Sequence, residues 1–133
     1  MKLTDFDKDF YESIPGKDEI GVSKKGTYQT VVIDGKKAGI VGFIPSKFKD
    51  MAFFQILIAP EFRGQGLTKE AEEMLAKEHR ITEMLATIKK DNVTSIKAHE
   101  KAGFEYLPEQ KLIDLREKGF LKDDETRLIK KMI

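Results

Sequence analysis

The sequence predicts an α/β fold built on a mixed sheet, and three stretches carry that reading. In "TYQTVVIDGKKAGIVGFI", two β-branched runs flank Asp34-Gly35. A type I′ turn needs positive φ at both central residues and favours this pair, so an antiparallel hairpin follows. "MAFFQILIA" is a nearly continuous apolar run ending at Pro60, the pattern of a strand covered on both faces. Beyond it come a helical pattern, the short apolar "ITEMLATI", and a second helical pattern. The order strand, helix, strand, helix makes a crossover that brings parallel strands together beside the hairpin.

The elements can be placed in chain order. Leu3, Phe6, Phe10 and Ile14 follow helical spacing and stop at Pro15-Gly16, which predicts a short amphipathic helix at the start. The hairpin and the central strand come next. Leu67, Ala71, Met74 and Leu75 share one helical face while Lys69, Glu70, Glu72 and Glu73 take the others, as in a surface helix packed on a sheet. After "ITEMLATI", Asn92 is placed to cap a helix and Gly103 to follow its end. Residues 104–107 read as a strand, 108–118 as a helix closed by Gly119, and "TRLIKKMI" as a last strand.

Composition narrows the function classes. At 133 residues, 40% hydrophobic and 35% charged, the chain fits one compact domain, 1–133, with room for a single core. Its 24 basic and 23 acidic residues leave a formal charge of +1, so no global field recommends a nucleic acid or another polyanion. With no cysteine, disulfides, thiolate metal sites and cysteine nucleophiles drop out together. His79 and His99 lie apart with no HExxH-type spacing, so no metal is expected. "MKLTDFDKDFYESI" lacks the basic start and apolar core of a leader, and no run of about 18 apolar residues occurs. The expectation is a cytoplasmic protein with no membrane partner.

"FRGQGLTKEAEEML" carries the first chemical signal. Its glycines fall between the end of the buried strand and the start of a helix, where unpaired N–H groups converge and the helix carries roughly +0.5 of an elementary charge. Residues without side chains let a phosphate reach those amides, and Arg63 adds a permanent cation. On its own such a loop is either an anion site or a plain turn. It is not "GxxxxGK[ST]", and it lacks the three-glycine dinucleotide fingerprint.

A second motif follows one helix and one strand later, "NVTSIKAHEKAGF". "IAPEFRGQGLT", then a helix, a strand and an Asn-x-x-Ser-x-x-x-His-x-x-x-Gly-Phe helix resembles the GNAT superfamily of N-acetyltransferases, with Arg63, Gly66 and Thr68 on the family's Arg/Gln-x-x-Gly-x-Gly/Ala positions. The resemblance covers roughly residues 27 to 107 and extends to the last strand. It implies a single-domain GNAT-like α/β fold, with a mixed, mostly antiparallel twisted sheet that splays between strands four and five and is flanked by helices.

The resemblance also implies acetyl-CoA as co-substrate. Its pantetheine arm pairs with the exposed backbone of Ile56, Leu57 and Ile58, and its pyrophosphate falls on the amides of Arg63, Gly64, Gln65, Gly66, Leu67 and Thr68. Asn92 either caps its helix alone or also contacts the pantetheine arm, with Ser95 beside it. The implied reaction is acetyl transfer to a primary amine of a small-molecule or protein acceptor; the alternative is a non-catalytic acyl-CoA-binding or interaction module.

Three positions depart from the family pattern. His99 stands where many relatives carry a tyrosine that protonates the leaving sulfur, so it is either that donor or a packed histidine. Thr68 replaces the usual glycine or alanine; its hydroxyl suits a phosphate oxygen, but its β-branch crowds the loop. Gln55 stands where several relatives place a glutamate base. Glu83 is then the nearest carboxylate, with a water chain or an already neutral amine as its rival. Residues 45–51 and 108–125 are the expected walls of the acceptor cleft. The part before the hairpin is short for the family, so one face of that cleft is either open or built by a partner subunit, as in a homodimer.

Overall fold

The computed structural model describes residues 1–132. Strand β1 (Lys2–Asp5) leads to helix α1 (Lys8–Ser13), a 3-10 turn (Lys17–Glu19), and strands β2 (Thr27–Ile33), β3 (Lys36–Pro45) and β4 (Met51–Ile58). Helix α2 (Leu67–Glu78), β5 (Glu83–Lys89), α3 (Val93–Lys101), β6 (Glu105–Tyr106), α4 (Glu109–Glu117) and β7 (Glu125–Lys131) follow. One seven-stranded sheet takes the order β1-β2-β3-β4-β5-β7-β6. All its neighbours are antiparallel except β4 and β5.

Asp34 and Gly35 turn the β2–β3 hairpin at φ of 50° and 79°, as a type I′ pair must. The first element differs from its helical reading. Leu3 lies in β1, opposite Val31, because pairing satisfies the edge of β2 that a helix would leave bare. The helix starts only at Lys8, where the Asp7 side chain caps the Phe10 amide.

The core lies on both faces of the sheet. On one face Phe54, Ala71, Leu75, Met84, Ile96 and Leu128 join β4, α2, β5, α3 and β7. On the other, Ile14, Ile20, Ile40 and Leu57 pack with Phe6, Phe10 and Tyr11. The apolar run of β4 is therefore covered on both sides, with alternate residues serving each cluster.

One irregularity decides where function lies. Strands β4 and β5 pair only from Met51↔Glu83 to Phe53↔Leu85. Past that point β4 keeps its register with β3 to Gly39↔Ile58, while β5 stays with β7 to Lys89↔Glu125. Each strand follows its other partner, and the sheet opens into a V whose mouth lies at the C-terminal ends of both.

Candidate active site

The β4 arm of the V presents alternate backbone groups to the gap. The Ala59 amide donates to Ala38 O at 2.8 Å, and by antiparallel alternation Leu57 also pairs with β3, opposite Ile40. Ile56 and Ile58 therefore turn their N–H and C=O groups toward the parted β5. Of the three residues expected to offer backbone there, Leu57 is committed to the sheet. The Ile58 carbonyl accepts from Arg63 Nε at 3.0 Å.

The chain then rises through a 3-10 turn (Pro60–Phe62) into the glycine loop. Gly64 and Gly66 have φ of 78° and 74°, in the left-handed region where a β-carbon is costly. A β-carbon built on either meets no atom within 4 Å, so the loop is open in front of its backbone. Gly66 caps α2 without a side-chain acceptor. Among the described residues no protein acceptor meets the amides of Gly64, Gln65 or Gly66, and those of Leu67 and Thr68 lie in the first helical turn, which has no intrahelical partners. Uncapped amides at the positive end of a helix fit a pyrophosphate.

Two side chains of this loop differ from their sequence reading. Thr68 is buried at the start of α2 rather than exposed in the loop. Arg63 does not reach forward: besides Ile58 O, its Nη2 donates to Pro15 O at 3.2 Å, which ties the N-terminal segment to β4. Gln65 is exposed and donates to Glu61 O.

On the other arm, Asn92 caps α3 by accepting from the Ser95 amide at 3.2 Å, and its Nδ2 donates to Glu19 Oε2 at 3.3 Å. His99 turns inward. It is 3% exposed, lies edge-on to Phe104 at 4.9 Å between centroids, and holds Ser95 O at 2.8 Å through Nδ1 and Glu72 Oε2 at 3.1 Å through Nε2. Burial lowers its pKa, but the Glu72 charge and the bonds to Glu72 and Ser95 outweigh that and hold it above the ordinary imidazole value. Neither ring nitrogen is free to meet a sulfur in this arrangement. The expectation that the helix aims His99 at the cleft is corrected to a contact with α2.

Glu83 lies at the start of the fifth strand, as expected. It opens β5 opposite Met51, at the closed end of the V, and the mouth lies about six residues of strand or roughly 20 Å further on. The loop before β4 shares that closed end, since Asp50 O accepts from the Thr82 and Glu83 amides. The segment before β7 is at the mouth, where the Lys90 amide donates to Asp124 O at 2.8 Å. Sequence reasoning missed the segment after Pro15, which lies against both arms. Its anchors, Arg63, Gln55 and Asn92, are far from it in sequence, and only the Pro15-Gly16 break marked its start.

Among the described residues, no three His, Cys, Asp or Glu side chains come together as a metal site, and no helix is long and apolar enough to cross a membrane.

Known proteins agree with this geometry. The structure of the N-acetyltransferase PseH of Campylobacter jejuni in complex with acetyl coenzyme A is similar at a TM-score of 0.71 and 15% identity, over 99% of this chain and 99% of that one. A chimera of the spermidine N-acetyltransferase SpeG from Vibrio cholerae and hSSAT matches at 0.59 and 19%, over 80% and 67%. A GNAT-family acetyltransferase from Streptococcus pneumoniae matches at 0.56 and 18%, over 84% and 69%. At such identities the likeness shows the fold. No curated protein matches the chain in sequence. The family model described as the acetyltransferase (GNAT) domain matches residues 8–105, most of the chain. With the parted β4–β5 pair and the uncapped glycine loop in place, the chain belongs to the GNAT acetyltransferase family.

Proposed function

We propose that residues 1–133 work as one unit that moves the acetyl group of acetyl-CoA to a primary amine. The observation that carries this reading is the line of unpaired backbone from the Ile56 N–H and C=O and the Ile58 N–H to the amides of Gly64–Thr68, which the fold leaves for a partner. An extended amide-bearing arm fits the first part as an added strand, and two linked phosphates fit the second.

Acetyl-CoA supplies the acetyl group as a thioester. The chain's own work is to hold and orient it. The glycine loop takes the phosphates, and the gap-facing backbone of β4 takes the arm. An amide at the gap can then donate to the carbonyl oxygen as the amine attacks and negative charge develops there. Asn92 steadies the start of α3 by its cap, and Ser95 supports the same turn.

The test is direct. Acetyl-CoA or CoA raises the melting temperature, since a ligand at 100 times its dissociation constant adds roughly 2.7 kcal/mol to stability. Acetyl-CoA with a panel of polyamines, amino acids and peptides then yields an acetylated amine. No shift at millimolar co-substrate overturns the binding reading; a shift with no product from any acceptor leaves a non-catalytic acyl-CoA-binding module in its place.

A further inference from the structure

Residues 15–21 form a strap across the mouth of the V. On the β4 side Arg63 Nη2 donates to Pro15 O at 3.2 Å. On the α3 side Asn92 Nδ2 donates to Glu19 Oε2 at 3.3 Å. At the end of the strap Gln55 Nε2, on β4, donates to Gly21 O at 3.2 Å, and the Tyr28 hydroxyl donates to Gln55 Oε1. Ile20 anchors the strap in the apolar cluster with Ile14 and Leu57. The strap is thus held at two points on the β4 side and at one on the α3 side.

Glu19 is the strap side chain held against α3, and its charge has no counter-ion. Asn92 is neutral, and Lys17 is bonded to Glu12. Among the described residues, no Lys, Arg or His nitrogen lies within 4.0 Å of the Glu19 carboxylate. Gln55, facing the strap from β4, carries no charge either. An exposed carboxylate with one neutral donor at the mouth of an amine-acylating cleft suits a charge-assisted bond to an ammonium.

We propose that Glu19 is a specificity-determining residue that docks the acceptor's ammonium at the mouth of the V, selecting cationic alkylamines over neutral amines. The inference rests on the acetyltransferase reading above. Glu19→Gln separates charge from structure, because glutamine has the same length and keeps an oxygen for Asn92 Nδ2. The measurements are steady-state acetylation of spermidine, putrescine and an arylamine neutral at pH 7, with calorimetric acetyl-CoA binding beside them. In Glu19→Gln, KM for the two polyamines rises tenfold or more with kcat held. KM for the arylamine and the acetyl-CoA dissociation constant stay within about twofold.

Unchanged polyamine KM, an equal loss on the arylamine, or a fall in kcat at constant KM overturns the assignment. If the wild type binds no acetyl-CoA, the reading beneath the proposal fails separately. Calorimetry with spermidine alone then decides Glu19: binding lost in Glu19→Gln upholds the site, and no wild-type binding overturns it.

Discussion

Glu72 is a fully buried carboxylate on α2, and one of its oxygens, Oε1, has no hydrogen-bond partner, so His99 is what makes its burial tolerable. Such pairs cost much in desolvation and are fragile when halved. His99→Leu leaves a lone buried charge and should cost about 3–5 kcal/mol, whereas Glu72→Leu with His99→Leu should be neutral or stabilising by about 1–4 kcal/mol. Chemical denaturation of the three proteins checks this. The pH dependence has a definite sign. The folded pKa of His99 is raised above 6.5, so the folded state binds its proton more tightly than the unfolded chain. The stabilisation is complete below the unfolded value and is lost as pH rises through the folded one. Wild-type stability should therefore decline from about pH 6.5 upward, and the double-leucine protein should lack that slope. The same protein tests the sulfur-donor role, because an inward, packed histidine predicts turnover retained within a few-fold. A fall of 100-fold or more, typical of lost general-acid help, would return the ring to the chemistry.

At the scale of elements, the loop between β4 and α2 divides its duties between backbone and side chain. Gly66→Val forces a β-branched residue to φ 74°, costing about 1–2 kcal/mol, and places a side chain in the open space before the amides. Arg63→Ala leaves every amide in place and removes two exposed bonds worth about 1 kcal/mol each, to Ile58 O and Pro15 O. The valine should raise the acetyl-CoA dissociation constant at least tenfold and the alanine far less. Calorimetry giving the reverse order would move the phosphates onto the guanidinium. This loop was legible in the sequence because its signal is local: glycines, a strand before and a helix after. The hairpin, β4, β5 and α3 were legible for the same reason, through turn chemistry, apolar runs and an Asn cap. Leu3 was misread because a helical period over so few residues also suits a strand, and β1 exists only by pairing with β2. His99 was misread as aimed at the cleft because its direction depends on Glu72, a turn of another helix away in space but distant in sequence. The strap was invisible, since Glu19 meets Asn92 across 73 positions and no local rule joins them.

At the scale of the whole molecule, the sheet is closed on one side of β4 and open on the other, and this asymmetry is a measurable property of its amides. The register from Pro45↔Ala52 to Gly39↔Ile58 secures the β3 side for the full length of β4. The β5 side is secured only as far as Phe53. Alternation then sorts neighbouring residues: the Leu57 amide is bonded into the sheet, while those of Ile56 and Ile58 face the gap. Amides that no acceptor protects exchange through small local openings, whereas ladder amides need larger ones. Without ligand, Ile56 and Ile58 should exchange their amide hydrogens much faster than Leu57, and Gly64–Thr68 should be equally fast. Saturating acetyl-CoA should slow Ile56, Ile58 and the loop together and leave Leu57 and the β2–β3 hairpin nearly unchanged, because those amides already have partners. Site-resolved hydrogen exchange by NMR reads each position separately. Protection that rose uniformly across β4, Leu57 included, would mean that the ligand stabilises the fold as a whole without pairing with the open edge. Protection confined to the loop would mean that the phosphates bind while the arm lies elsewhere.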